Sequence, residues 1–275
     1  MRFLELASEH QLGFLIVVLV VLVSVFLQRW VRKKIGPQEL KDLHEVGGIY
    51  LSAVGTLYSV ILGLILVDAS GKFSEAKQNV DHEADWLLRT YALAGQMPKK
   101  NAEQIQSSMR AYVDEVIEHG FALMAEGKSS QKAADLYVNL VLSIRSVEPV
   151  TENQKAVYPA LLETFLNSSE GRSGRLNFSD YSMPDIEWLS LIVGGAVTIG
   201  FTFLFAVKSD RIQSIMTGLV ALMVSLNLYL VFMFDQPFSG ELKVAPDRFV
   251  HLKQRISVEG DLYSRELKQA KGKAW

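Results

Sequence analysis

Four long apolar stretches without a charged residue constrain this chain more than any other feature of its sequence. They cover residues 11–28, 46–67, 188–207 and 212–234. At 1.5 Å per helical residue, each can cross a hydrocarbon core of about 30 Å, and the first is near the short limit. A bilayer offers no water to backbone polar groups, so such stretches cross it as helices. The sequence therefore predicts an all-α membrane protein with four transmembrane helices.

The connections between these stretches predict the domain organisation. Residues 208–211 alone separate the last two stretches, which therefore form a tight hairpin. The long insertion leaves the second membrane helix and returns to the third, so both termini lie on its side of the membrane. We predict a membrane helix pair at 1–67, an extramembrane insertion at 68–184, a membrane hairpin at 185–235 and an extramembrane tail at 236–275.

The insertion is predicted to be a helical bundle. Its apolar residues recur every three or four positions within 80–91, 105–117 and 136–144. A fourth helix is predicted to begin at Thr151, where Thr151 and Gln154 have capping-box spacing. Predicted breaks lie at Pro98, at residues 127–130, at Pro149, and at the serine- and glycine-rich residues 167–175.

The second membrane helix is predicted to continue into this bundle. No proline lies between Val46 and Tyr91. Gly71 weakens a helix by roughly 1 kcal/mol relative to alanine, which does not end it. We therefore expect one helix of about 45 residues, joining the membrane to the bundle.

Composition excludes several functional classes. The net charge is only −2, with no basic run outside the membrane flanks, so nucleic acid is a poor partner. The chain has no cysteine, which removes disulfides, thiol catalysis and thiolate metal sites. No lysine, arginine, aspartate or glutamate lies inside a predicted span, which argues against a proton-coupled pump.

No residue pattern indicates catalysis, a metal or a cofactor. By composition, a metal cluster is suggested by Asp81, His82, Glu83 and Asp85. Consecutive residues of a helix point in different directions and cannot converge on one ion, so these residues are interpreted as a solvated helix surface. Glu115 and His119 share a helix face, but zinc needs at least three protein ligands, so this pair is also assigned to the surface. We predict that the chain is not an enzyme.

One face of the second membrane helix carries the most informative pattern, which we call the small face. It consists of Gly48, Ser52, Gly55, Ser59 and Gly63. Such a face either packs closely against another helix or lines a water-filled path around an oligomer axis. At the end of this stretch, a ring of Asp68 side chains would bias the ion preference at the mouth of such a path.

Other small and polar membrane residues are predicted to face protein. Gly194, Gly195 and Gly200 are interpreted as positions where helices approach closely. Asn227 is the most polar residue inside a span, and burying its amide in hydrocarbon is costly, so it should face protein or a cavity.

Charge predicts the orientation. Short loops that are rich in lysine and arginine tend to lie on the cytoplasmic side of the membrane. The short connections between the first and second stretches, residues 29–45, and between the third and fourth, residues 208–211, carry Arg29, Arg32, Lys33, Lys34, Lys41, Lys208 and Arg211. The helical bundle and both termini are therefore predicted to be extracytoplasmic.

Two motifs resemble a known family. Phe-Asp-Gln-Pro-Phe-Ser-Gly at 234–240, followed by Val244 and Pro246, resembles the end of the last span in bestrophin-like bacterial membrane proteins. In it, Pro237 cannot continue a helix and Gly240 permits a turn, with Phe238 and Ser239 between them. Gly55 to Gly63, with Ser74-Glu75-Ala76, Glu83-Ala84, Leu87, Leu88 and Tyr91, is similar to the second-helix signature of that family.

The resemblance implies a relation to bestrophins, which are pentameric anion channels whose second membrane helix lines the pore. It implies a bacterial inner-membrane location and inorganic ions as partners. It also places the insertion in the cytoplasm, opposite to the charge pattern. Two functions follow: an oligomeric ion channel with the bundle as vestibule or gate, or a non-conducting sensor or assembly protein whose bundle binds a protein partner.

Overall fold

Helices make up all the regular structure that is described. The computed structural model describes residues 2–36, 44–205, 207, 209–240 and 242–258, so the predicted cationic positions Lys41 and Lys208 lie outside the described residues. The helices are α1 (Arg2–Ile35), α2 (His44–Ala94), α3 (Lys99–Glu115), α4 (Phe121–Ala125), α5 (Gln131–Arg145), α6 (Glu152–Asn177), α7 (Asp185–Phe201), α8 (Asp210–Asp235) and α9 (residues 247–258). A π-helical turn, Val116–Gly120, joins α3 to α4.

The first of two compact units contains the membrane helices and comprises Met1–Phe73 and Ser182–Gln236. Four helical segments are long and apolar enough to cross a membrane, which confirms the four predicted spans: Gly13–Ile35, Gly47–Ala94, Asp185–Leu204 and Asp210–Asp235. Buried apolar residues from α2, α7 and α8, such as Tyr58, Leu191 and Val224, form its core.

The second unit is the helical bundle, Ser74–Tyr181 with Pro237–Trp275. The predicted apolar stripes are buried in it, as Leu87, Ile105 and Leu140 illustrate with 0% exposure each. At the start of α6, the Gln154 N–H donates to Thr151 Oγ1 at 3.2 Å, which confirms the capping box.

Helix α2 is continuous over 51 residues and therefore belongs to both units. Gly71 lies inside it and is exposed, with no atom within 4 Å of the place where a Cβ would stand. The helix tolerates this glycine because the propensity cost is small beside the hydrogen bonds of the flanking turns. The predicted continuous helix is confirmed.

The predicted break at residues 167–175 is wrong, because α6 runs on to Asn177. A Cβ on Gly171 would stand 2.7 Å from the backbone nitrogen of Glu83, and one on Gly174 would stand 2.5 Å from Cγ of Asn79. Gly171 therefore lets α6 approach the backbone of α2 closely, and Gly174 leaves room for the Asn79 side chain. They serve packing and do not end the helix.

Alanine at Gly171 is expected to lower the free energy of unfolding of the bundle by about 1–3 kcal/mol, because the added methyl overlaps backbone atoms that cannot rotate away. Alanine at Gly71 is the matched control and should raise stability by up to about 1 kcal/mol. Denaturant titration of the detergent-solubilised protein, followed by circular dichroism, measures both. Equal effects of the two substitutions would contradict this account of α6.

Candidate functional site in the membrane helices

The small face of α2 is not covered by any other helix of the described residues. Apart from the adjacent backbone of α2 itself, a Cβ added at Gly48, Gly55 or Gly63 would meet no atom of the described residues within 4 Å. Ser52 and Ser59, which lie between these glycines, are both exposed. No neighbouring helix in the described part of the chain therefore fills the space that the absent side chains leave.

The middle of the small face, Ser52, Gly55 and Ser59, forms part of one wall of an open groove of about 520 Å³. The other wall contains Thr198 of α7, Thr202 in the 3-10 turn that follows α7, and Val220 of α8. The hydroxyl of Ser59 donates to the Gly55 carbonyl at 2.7 Å, and that of Thr198 donates to the Gly194 carbonyl at 2.8 Å. These two hydroxyl donors are therefore satisfied within their own helices, and the rest of the groove lining is mostly apolar.

Asn227 lies at the edge of the same region. It lines a depression that also includes Ser59 and Thr198. Its Nδ2 donates to the Met223 carbonyl at 2.8 Å, one turn back along α8. The side chain is half-buried, so its amide is partly covered by protein and partly open at the groove.

The three glycines of the third span have different surroundings. Cβ atoms on Gly194 and Gly195 would stand 2.5 Å and 2.9 Å from atoms of Tyr58, whose hydroxyl donates to the Leu191 carbonyl at 3.2 Å. These two glycines admit the tyrosine ring between α2 and α7. Gly200 has no atom within 4 Å of its Cβ position, so nothing packs there in the described chain.

Asp68 does not lie on the small face. It follows Ser59 by nine residues, which at 100° per residue places it about 180° around a straight helix. Its carboxylate lies 2.9 Å from Lys72 Nζ, and its side chain is 57% exposed. A straight α2 that turns its small face to a central path would turn Asp68 away from that path.

The motif at the end of the last span contains an aspartate whose contacts the sequence did not predict. Asp235 is 9% exposed and accepts hydrogen bonds from the Met183 N–H at 2.5 Å and from Trp188 Nε1 at 3.3 Å. It therefore joins the end of α8 to the start of α7.

The turn that follows this aspartate has the predicted glycine conformation. Gly240 has φ +73°, and the Val244 N–H donates to the Pro237 carbonyl at 2.8 Å, which closes the turn. Phe238 is buried and Ser239 is half-buried in this turn.

In the bundle, the assignment of Glu83 to a solvated surface is wrong. Glu83 is 1% exposed, and its carboxylate lies 2.6 Å from Nε of Arg175 and 2.5 Å from the Tyr112 hydroxyl, which donates to it. Burial raises the pKa of Tyr112 above its usual range, and the charge of Glu83 adds to this. The tyrosine therefore stays a neutral donor, and the three side chains form a buried charged network.

The assignment of Glu115 to the surface is also wrong. Its side chain is 5% exposed, whereas that of His119 is 58% exposed. The Glu115 carboxylate lies 2.7 Å from Lys132 Nζ and accepts a hydrogen bond from Ser130 at 2.9 Å. Ser130 also caps α5 by accepting from the Ala133 N–H at 3.1 Å, so Glu115 holds the loop before α5 against α3. Among the described residues, no group of three or more candidate metal ligands exists.

The Glu115 contacts predict how bundle stability changes with pH. The Lys132 hydrogen bond lowers the pKa of Glu115 most, partial burial opposes it, and the Ser130 hydrogen bond adds to the lowering. A carboxylate with a lowered folded-state pKa stabilises the fold above its unfolded pKa of about 4.3, and this contribution is lost as pH falls through the folded value. Glu115→Gln should therefore melt lower than wild type at pH 7, and the gap should close below about pH 4. Melting at a series of pH values measures this, and a gap that does not change with pH contradicts it.

Comparison with known proteins identifies the fold. One variant of a bacterial bestrophin homologue from Klebsiella pneumoniae matches with a TM-score of 0.67 at 11% identity, covering 87% of this chain and 97% of that chain. Another variant of that homologue matches at 0.64 and 11% identity, covering 89% and 96%. A structure described as a membrane protein matches at 0.66 and 12% identity, covering 87% and 97%. A search of curated proteins found no match.

The fold and the four apolar spans define a multi-pass, all-α membrane protein with a helical bundle. The bestrophin-like domain family matches residues 14–249, which is most of the sequence. The chain therefore belongs to the bestrophin-like domain family. That family is not one of enzymes.

Proposed function

We propose that this protein is a subunit of an oligomeric ion channel in which α2 lines a central path and presents its small face to that path. One observation carries the proposal: apart from the adjacent backbone of α2 itself, no described atom lies within 4 Å of the positions that Cβ atoms would take at Gly48, Gly55 and Gly63. A membrane helix with small, hydroxyl-bearing residues on an open side suits close approach of water or of sister helices.

The path requires several copies, because the small face of one copy lines only one side of an open groove. Homo-oligomerisation around an axis would bring one small face from each copy together. Resemblance to bestrophins supports five subunits and favours anions over cations as the transported ions. No charged residue lies inside the four apolar stretches 11–28, 46–67, 188–207 and 212–234, so none opposes either sign of ion there.

The continuity of α2 supports a role for the bundle in control. The same helix supplies the small face near Ser52 and the buried stripe near Leu87. Movement of the bundle would therefore reach the membrane segment through unbroken backbone hydrogen bonds. In this proposal the bundle acts as vestibule or gate.

A non-conducting sensor or assembly protein is the second candidate. The hydroxyls of Ser59 and Thr198 already donate within their helices, so the groove needs no water to satisfy them. A purely structural contact between copies suits such a surface equally well. In that case the bundle would bind a protein partner, and the membrane part would anchor and oligomerise it.

Reconstitution into liposomes separates the two candidates. Purified protein in chloride-loaded vesicles should release chloride faster than protein-free vesicles, and electron microscopy of the same sample should show ring-shaped particles. The absence of flux for chloride and for common cations, with rings still present, favours the assembly protein. A monomeric particle eliminates the central path.

We further propose an inner-membrane location in which the short-loop side is cytoplasmic and the bundle extracytoplasmic. Arg29, Arg32, Lys33 and Lys34 lie at the end of α1 on that side, and Arg211 at the start of α8. A periplasm-active reporter fused at Gly127 should be active, and the same reporter at Ser209 should be silent. The reverse pattern would place the bundle in the cytoplasm.

A further inference from the structure

Three cations border one surface where α1 ends and α8 begins. Arg29 and Lys33 are four residues apart and share a face of α1, while Arg211 and Ser214 are three apart and share a face of α8. The Arg29 Nε donates to Ser214 Oγ at 3.2 Å, which joins the two faces. Arg29, Lys33 and Arg211 are therefore neighbours on one side of the helix pair.

The charges of these three residues are not neutralised by the described chain. All three are exposed, and no described carboxylate lies within 4 Å of them. Arg32 is different. It lies 2.6 Å from Asp210, donates to the Val207 carbonyl at 2.9 Å, and its side chain is only 13% exposed. Arg32 thus fixes the helices, whereas Arg29, Lys33 and Arg211 have no ion-pair partner among the described residues.

Apolar side chains lie next to these cations on the membrane side. Phe26, one turn before Arg29 on α1, is 68% exposed, and Ile215, one turn after Arg211 on α8, is 61% exposed. Trp30 is 52% exposed, as is common for aromatic residues at the level of lipid headgroups. The surface therefore changes from cationic to apolar over about one helical turn.

We propose that this surface binds an anionic phospholipid, with Arg29, Lys33 and Arg211 on the headgroup phosphate and the acyl chains along Phe26 and Ile215. One guanidinium group can donate two parallel hydrogen bonds to two oxygens of a phosphate. The apolar side chains of Phe26 and Ile215 favour a lipid over free phosphate, because only a lipid has acyl chains that can contact them. The site does not depend on ion conduction.

Native mass spectrometry of the detergent-solubilised oligomer tests the proposal. Titration with phosphatidylglycerol should leave more bound lipid than titration with phosphatidylcholine at equal concentration. The triple variant Arg29→Gln, Lys33→Gln, Arg211→Gln should lose phosphatidylglycerol affinity by about tenfold or more, since each surface cation contributes to binding an anionic headgroup. Added inorganic phosphate at millimolar concentration should not displace the lipid.

Two variants keep the result interpretable. Arg29→Lys with Arg211→Lys keeps the charges but removes the paired guanidinium contacts, so it should bind phosphatidylglycerol more weakly than wild type and more tightly than the triple glutamine variant. Affinity equal to that of wild type, at unchanged particle size, overturns the pairing of guanidinium and phosphate. A triple variant in the bundle, Lys100→Gln, Lys128→Gln, Arg145→Gln, removes the same charge elsewhere and should change nothing. Equal retention of both lipids by wild type, displacement by phosphate, or equal loss in the bundle variant overturns the site.

Discussion

Tryptophan at Ser59 is expected to reduce ion flux in reconstituted vesicles to background, while tryptophan at Leu57 leaves flux in place. Ser59 lies on the small face, where an indole from every copy would fill the path. Leu57 precedes it by two residues and therefore points about 160° away around the helix. It is 67% exposed, so tryptophan fits there without displacing the core. Tryptophan at Ser52 should act as at Ser59.

Particle size must be measured on the same samples. If Ser59→Trp separates the oligomer into monomers, the small face is a contact between copies and not the wall of a path. If Leu57→Trp stops flux and Ser59→Trp does not, the opposite side of α2 lines the path. Either outcome removes the proposed role of the small face, although the second would preserve conduction.

Breaking the buried pair between Glu83 and Arg175 should destabilise the bundle by about 3–5 kcal/mol, the usual cost of leaving a buried charge without its partner. Glu83→Gln leaves the guanidinium, whose side chain is 3% exposed, without a carboxylate. It also replaces the strong acceptor of Tyr112. We expect early loss of bundle structure in denaturant titration and rapid protease cleavage in residues 74–181.

Replacing both partners distinguishes an electrostatic cause from a packing cause. Glu83→Leu with Arg175→Met removes both charges and should recover much of the lost stability, because no lone charge stays buried. An exposed pair gives the scale: Lys155→Ala, which removes the 2.8 Å contact to Glu152, should change stability by under about 1 kcal/mol. If Glu83→Gln is as mild as Lys155→Ala, the buried network contributes little to the fold.

Glycine shows where sequence reasoning reached its limit. Spacing and apolar periodicity predicted the spans, the bundle and the continuous α2, because these depend on residues close in sequence. The role of a glycine depends on what stands opposite to it. Gly171 contacts backbone, Gly194 receives the Tyr58 ring, and Gly55 meets no atom. The sequence shows only a glycine at each of these three positions, so the serine and glycine content of residues 167–175 predicts a break that the structure does not contain.

The burial of Glu83 was predicted wrongly for a related reason. Glu83 lies in an acidic run that resembles a solvated surface, and its partner Arg175 is 92 residues away in sequence. A local clue existed: Glu83 stands three residues after Val80 and four before Leu87, inside the apolar stripe. A single charge within such a stripe indicates a buried partner. The contacts of Asp235 with Met183 and Trp188 had no comparable local clue.

The uninterrupted length of α2 has a mechanical consequence. Its 51 residues span about 75 Å. A stiff helix of that length is a lever, and a tilt of about 5° around its midpoint displaces each tip by about 3 Å, roughly the diameter of a water molecule. In the proposed channel, an angular change of this size would be enough to narrow or widen an opening far along the same helix.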